Sequence, residues 1–193
     1  SVYGIYCASN TGTLVISENT IYGGLGGSGN KNCTVKFELN EGTVVLTNNL
    51  VVSTKTYSGA DRICVYHNAS SDASFYFRNN TVVFSSRPAS HVSYGVQLDG
   101  DQSKLYLDNN LFYYSASSAP VPDTCFIYES TAVAPEQFRN NDFSYSNEAP
   151  IFYHDSSGDL TSIGDLNGET PDNNGSANIS INPLYCDFIS SRL

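Results

Sequence analysis

Lys36, Glu38, His67 and Asp99 have the side chains that proton transfer requires: an ammonium, two carboxylates and an imidazole. Gathered on one surface they would supply an acid, a base and a fixed charge, the set that acid–base work on a sugar uses. They are far apart along the chain, so they meet only if the backbone returns to the same place at a fixed interval. A second group is aromatic. Tyr76, Tyr106, Tyr22 and Tyr113 offer flat rings on which the C–H faces of sugars stack, and the chain holds 14 Tyr and no Trp.

Such an interval exists. A polar residue, then Asn, then apolar residues recur as Glu18-Asn19-Thr20-Ile21, Asn48-Asn49-Leu50-Val51, Asn79-Asn80-Thr81-Val82, Asn109-Asn110-Leu111-Phe112 and Asn140-Asn141-Asp142-Phe143. Positions 19, 49, 80, 110 and 141 differ by 30, 31, 30 and 31, a spacing that marks a repeat architecture. Counting thirteen residues back from each Asn gives Tyr6, Lys36, His67, Gln97 and Tyr128; eleven back gives Ala8, Glu38, Ala69, Asp99 and Ser130. On successive coils these columns become neighbours, which predicts that Lys36, Glu38, His67 and Asp99 share one outward patch. Tyr76 and Tyr106 lie four before the Asn in adjacent copies, and Tyr22 and Tyr113 three after it, also on outward positions.

The apolar columns name the elements. Ile21, Val51, Val82, Phe112 and Phe143 stand two after the Asn; Ile16, Leu46, Phe77, Leu107 and Phe138 stand three before it. Five before it stand Leu14, Val44, Phe75, Leu105 and the exception Glu136, and fourteen before it Ile5, Val35, Tyr66, Val96 and Ile127. The step of two residues between the neighbouring apolar columns means strands, and their Val, Ile, Phe and Tyr content disfavours helix. Strands that pair in parallel from one coil to the next form a β-helix, here of about six coils, about 29 Å long at 4.8 Å per coil. Asn19, Asn49, Asn80, Asn110 and Asn141 are then expected to point inward at a turn that tolerates left-handed backbone, each amide bonding to the coils above and below. Residues 1–155 read as these coils, with a period of about 30 residues. Residues 156–193 read as the last coil, a polar loop and a C-terminal capping segment.

Phrases such as Val15-Ile16-Ser17-Glu18-Asn19-Thr20-Ile21-Tyr22-Gly23-Gly24 and Phe77-Arg78-Asn79-Asn80-Thr81-Val82 resemble the repeats of right-handed parallel β-helix proteins of the pectate-lyase-like superfamily. Gly175-Ser176-Ala177-Asn178-Ile179 followed by Asn182-Pro183-Leu184-Tyr185 is similar to a segment that follows the last coils of surface members, with Asn182 where Asp is usual. The resemblance implies a right-handed solenoid, export or cell-surface placement, and polysaccharide as the partner. It does not imply a reaction. The adjacent Asp pair and Arg-x-Lys element of the galacturonase site are missing, and Arg87-Pro88 is only a fragment of the lyase element. The expected function is therefore carbohydrate binding or lyase- or hydrolase-like processing. The competing class is a structural or adhesin repeat segment without chemistry.

Charge and composition narrow the partners. With 19 Asp and Glu against 9 Lys and Arg the net charge is -10, and the basic residues form no stripe, which argues against nucleic acid. No apolar run approaches the length of a membrane span. Cys33, Cys64 and Cys125 all lie sixteen before the Asn and read as a buried column, with Tyr3 and Tyr94 in the same place in other copies. No Cys-x-x-Cys pair or compact His set suggests a metal centre, and no cofactor is expected. Asp99-Gly100-Asp101 and Asp155-Ser156-Ser157-Gly158-Asp159 could hold Ca²⁺ weakly but fit ordinary turns as well. Sequons at Asn32, Asn68, Asn79, Asn174 and Asn178 accord with export. The longest interruptions, 23–32, 53–61, 85–93 and 115–124, fall at one point of the period and should protrude from one side. Finally, a strand at 2–5 with nothing stacked beneath it predicts end-to-end contact with an upstream segment or another chain.

Overall fold

Parallel pairing between coils, expected from the columns, organises the computed structural model, which describes residues 4–23, 31–53, 61–85, 91–100, 104–115, 123–131, 135–155, 157–168 and 175–181. The interiors of the expected loops lie outside these residues, as do Tyr3, Arg87, Pro88, Asp101, Ser156, Asn174 and the segment from Asn182, including Cys186.

Three parallel sheets enclose one core. The first contains β1 (Ile5–Ala8), β4 (Lys31–Asn40), β7 (Asp61–Ala69), β10 (Ser93–Gly100), β13 (Cys125–Glu129) and β16 (Ile151–Asp155), with β17 (Gly158–Leu160) antiparallel at its end. The second contains β2 (Thr13–Ser17), β5 (Thr43–Thr47), β8 (Ser74–Arg78), β11 (Lys104–Asp108), β14 (Gln137–Arg139) and β18 (Gly175–Ser176). The third contains β3 (Thr20–Tyr22), β6 (Leu50–Ser53), β9 (Thr81–Ser85), β12 (Leu111–Ser115) and β15 (Asp142–Tyr145). The chain is an all-β parallel solenoid, about four turns separating β3 from β15. A single short helix, α1 (Ile163–Gly168), occurs among the described residues.

Burial follows the alternation. In β5, β8 and β11 the residues Val44, Leu46, Phe75, Phe77, Leu105 and Leu107 are fully buried while Val45, Tyr76 and Tyr106 between them reach the outside. The aromatic residues of the core interlock: the Phe112 and Phe143 rings stack at 5.0 Å and Phe126 meets Phe143 edge-on at 5.3 Å. Such pairs contribute beyond the area they bury.

The asparagine column is a ladder. Asn49, Asn80, Asn110 and Asn141 are buried, and each backbone N–H donates to the side-chain oxygen of the next Asn at 3.0 to 3.1 Å. Each side-chain amide donates to that same oxygen and to a backbone carbonyl one coil back, as Asn110 does to Asn141 Oδ1 at 3.0 Å and to Phe77 O at 2.9 Å. One detail differs from the expectation. The left-handed backbone belongs to the residue before each ladder Asn, with φ of 59° at Glu18, 57° at Asn48, 55° at Asn79, 56° at Asn109 and 55° at Asn140. Asn is common there because its short polar side chain tolerates that region.

The ladder also runs one member further than the sequence spacing indicated. Asn178 accepts from Asn141, 37 residues earlier; its Nδ2 donates to Phe138 O at 3.1 Å, and its backbone N–H and Nδ2 also donate to Asn167 of α1. Leu166 of the same helix is fully buried against the core. Helix α1 thereby closes the C-terminal end of the stack. Ser162 prepares it as an N-cap, its Oγ accepting from the Asp165 N–H at 3.1 Å while the Asp165 carboxylate accepts from the Ser162 N–H at 3.0 Å.

Candidate functional site

The register of the first sheet decides which predicted residues meet. Tyr6 pairs with Lys36, Lys36 with Tyr66, Tyr66 with Gln97, Gln97 with Tyr128 and Tyr128 with His154. His67 pairs instead with Phe37 and Leu98, so it belongs to the inward column. This corrects the expected patch: Lys36, Glu38 and Asp99 lie on the outer face, His67 does not. The cause is a single residue. The β7–β8 connection holds four residues, closed by the Ala73 N–H on Ser70 O at 3.1 Å, whereas the β10–β11 connection holds three. Counting back from Asn80 across the longer turn shifts every assignment in β7 by one; against β4 the β7–β8 connection is two residues longer, and the extra residue of β4 between Phe37 and Asn40 takes one of these back. The same slip corrects two columns. Val65, not Tyr66, is the inward partner of Val35 and Val96, and Ile63, not Cys64, stands between Cys33 and Tyr94.

His67 is fully buried, stacked on Phe75 at 4.5 Å and edge-on to Phe37 at 6.0 Å. Asn40 fixes its protonation. Asn10 Nδ2 donates to Asn40 Oδ1 at 2.8 Å, which turns the Asn40 amide so that its Nδ2 donates to His67 Nε2 at 3.1 Å. An Nε2 that accepts carries no proton, and burial pushes the imidazole pKa down to about 3. Asn10 and Asn40 thus form a second, shorter stack at the next corner, legible in retrospect from their spacing of 30.

On the outer face the polar groups hold one another. Lys36 Nζ pairs with Glu38 Oε1 at 2.9 Å and lies 5.8 Å from the Tyr6 ring centre and 5.5 Å from that of Tyr66. The Tyr6 hydroxyl donates to Glu38 Oε2 at 2.9 Å, and the Lys36 and Tyr6 hydrogen bonds keep the Glu38 pKa below its usual value. Two coils on, Asp99 accepts from the Tyr66 hydroxyl at 2.8 Å and from Gln97 Nε2 at 3.0 Å. Tyr94 stacks on Tyr128 at 4.8 Å, Tyr128 on His154 at 4.7 Å, and His154 Nδ1 lies 2.6 Å from Asp159 Oδ1. From Tyr6 to His154 the file extends for about 24 Å, five strand spacings. Tyr6 is half exposed, whereas Tyr66 and Gln97 are buried between their neighbours. Tyr66 and His154 were missed from the sequence, the first through the register slip, the second because β16 belongs to a coil without the repeat phrase.

The predicted tyrosines divide. Tyr76 and Tyr106 stack on the outer face of the second sheet, centres 4.5 Å apart and planes 6° from parallel. Tyr22 is exposed on the outer side of the third sheet. Tyr113 occupies an outward position too, but it is buried in a cluster with Val52 and Val83 and offers no open ring face. Tyr22 and Tyr113 are separated by Val52 and Val83 in the register and form no common platform.

Among the described residues no three His, Cys, Asp or Glu side chains come together as metal ligands. Asp155 Oδ1 accepts from Ser157 N at 2.7 Å and Gly158 N at 3.2 Å, so it closes its own turn. Cys7, Cys33, Cys64 and Cys125 are free thiols, and burial pushes the Cys64 pKa up to about 12, away from reactive thiolate chemistry. Of the sequons, Asn79 is exposed, whereas Asn178 is a buried ladder member. No family model matches the chain, and the searches of curated proteins and of solved structures return no match to it either.

Proposed function

We propose that this chain is the β-helical part of an exported or cell-surface protein and that it binds polysaccharide on the outer face of the first sheet. The observation that carries the reading is the file from Tyr6 to His154, in which Tyr6, Lys36, Tyr128 and His154 reach solvent and Tyr66 and Gln97 pack between them, flanked by Glu38 and Asp99. A polymer that repeats the same hydroxyls and C–H faces suits a surface that repeats the same acceptors and rings. Binding is favoured over cleavage. A general acid needs a carboxyl group held protonated, yet Glu38 is held ionised by Lys36 and Tyr6, and both Asp99 oxygens already accept hydrogen bonds.

The same proposal includes a right-handed winding of six coils and kinship with the pectate-lyase-like superfamily, which the repeat phrases support. Export draws support from the exposed sequon at Asn79. The edge formed by β1, β2 and β3 is proposed to meet a further strand-bearing segment, upstream or from another chain, because Ile5, Cys7, Leu14 and Ile16 are only partly buried there.

A glycan and polysaccharide array on the purified chain tests the reading, scored for retained ligand and for released unsaturated or reducing products. The expected result is retention without products, with uncharged glycans lost from Tyr6→Ala/Tyr128→Ala. Product release that disappears in Glu38→Gln or Asp99→Asn would replace the binding reading with an enzyme. Silence on every glycan would leave the structural or adhesin reading.

A further inference from the structure

Three of the chain's nine Lys and Arg residues gather on the outer face of the second sheet, although along the sequence they look scattered. Lys104, Tyr106 and Asp108 alternate along β11 on the side opposite Leu105 and Leu107, and register places Arg78 and Arg139 on either side of Asp108. Among the outward strand positions of this sheet Asp108 is the single carboxylate within the described residues. Glu136, just before β14, is the other acidic group near Tyr106. The first sheet is the reverse, with Glu38 and Asp99 against Lys36.

Asp108 compensates one guanidinium, and two are present. Arg78 Nε donates to Asp108 Oδ2 at 3.1 Å, whereas Arg139 Nε stays 3.7 Å from Oδ1, which receives no hydrogen bond. Asp108 is buried, while the Arg78 and Arg139 side chains are 38% and 50% exposed. The Arg78 guanidinium lies 5.0 Å from the centres of both Tyr76 and Tyr106, so the ring stack holds it in place. The terminal nitrogens of Arg78 donate to no protein acceptor among the described residues, and Arg139 donates one hydrogen bond, from Nη2 to Gln137 Oε1 at 3.2 Å. One net positive charge and free guanidinium N–H groups therefore stand beside a pair of stacked rings, the combination that takes a carboxylate in fork geometry next to an apolar ring face.

We infer that Arg78 and Arg139, with the Tyr76–Tyr106 stack, form a binding site for the carboxylate of an acidic sugar unit. The inference rests on the carbohydrate reading and extends it to a second face with a different charge preference. The test is a titration of the whole chain, followed by calorimetry, with a glucuronate-containing oligosaccharide, the same oligosaccharide with its carboxyl groups reduced to alcohols, and sodium acetate. The acidic oligosaccharide is expected to bind at least tenfold more tightly than the reduced one, with acetate ineffective at the same concentration. Arg139→Gln, an exposed change that leaves the core untouched, is expected to erase that preference, and Arg139→Lys to restore part of it. Tyr6→Ala/Tyr128→Ala is expected to leave the preference intact. Equal affinity for the two oligosaccharides, an unchanged preference in Arg139→Gln, or acetate binding as well as the sugar would each overturn the site. If the acidic oligosaccharide is ignored while array ligands are still retained through Tyr6 and Tyr128, this inference fails and the broader reading stands; a blank array removes both.

Discussion

At one end of the coil stack Asn178 gives its backbone N–H and a side-chain N–H to Asn167; at the other, Asn19 stands exposed, its oxygen receiving no donor among the described residues. The ladder has a direction that makes the two ends unlike. Each Asn donates to the next, so the C-terminal end needs an acceptor and the N-terminal end needs a donor. Helix α1 provides the acceptor and buries Leu166 with it. Among the described residues the first coil provides no donor, and its Ile5, Cys7, Leu14 and Ile16 are only partly covered. Buried donors left unpaired cost more than an acceptor left in water, which is why one end requires a dedicated cap and the other can remain a surface.

The largest test asks whether the middle of the ladder joins the two ends. Asn110→Ala removes two side-chain donations, to Phe77 O and Asn141 Oδ1, and deprives the Asn80 N–H of its acceptor. With several buried groups stranded at once the expected loss is about 4 kcal/mol. Urea unfolding followed by circular dichroism would measure it. A loss below about 1 kcal/mol would mean that the strands, not the ladder, hold neighbouring coils together.

Acid should act on the N-terminal half through His67. Folded, this imidazole stays neutral down to about pH 3; unfolded, it takes up a proton near pH 6.5. Protons therefore bind the unfolded chain preferentially, and stability falls as pH drops below about 6.5 until about pH 3. Between pH 7 and pH 5 the contribution of this group amounts to about 2 kcal/mol. His67→Leu, which copies its neighbour Leu98 in the column, should flatten that dependence. An unaltered pH profile in the variant would place the titrating group elsewhere.

The same histidine shows how far the sequence could be read. The ladder, the strand columns and the parallel pairing followed from one residue type recurring at a near-constant interval, because identical side chains stack only if coils are in register. Side-chain orientation in β7 did not follow. It depends on whether the turn before β8 holds three residues or four, and that count is invisible when columns are measured from the far side of the turn. Lys36, Glu38 and Asp99 lie on the outer face as expected because the net count from strand to ladder Asn is the same in their copies, the extra residue of β4 being offset by its shorter turn, whereas the copy of His67 is one residue longer. Asn178 and Asn167 escaped for a related reason: the last coil abandons the period, so only its closing hydrogen bonds identify it. The Arg78–Asp108–Arg139 column was in regular register throughout, but no single copy contains all three residues.

Asn167→Ala tests the cap. It removes the Asn167 oxygen that accepts both the Asn178 backbone N–H and its Nδ2, each at 3.0 Å. Asn178 is buried, so water reaches these groups poorly, and the expected loss is about 1.5 kcal/mol. Hydrogen exchange should localise the effect, with the Asn178 and Ile179 amides losing protection before those of β8 or β11. Uniform loss across all coils would mean that α1 supports the whole stack rather than its end.

Asn19→Ala is the counterpart at the open end and should do least. The side chain of Asn19 donates to Ser17 O at 2.7 Å and to Asn49 Oδ1 at 3.2 Å, but it is exposed and both partners can turn to water or to the Asn19 backbone N–H, which already donates to Asn49 Oδ1 at 3.0 Å. The expected cost is about 0.5 kcal/mol. That cost depends on what meets the first coil. If a donor from another strand-bearing segment occupies the Asn19 oxygen in solution, the substitution costs about as much as Asn167→Ala, and the difference appears only at protein concentrations where sedimentation detects association. Equal, small losses at every concentration would establish the first coil as a free end.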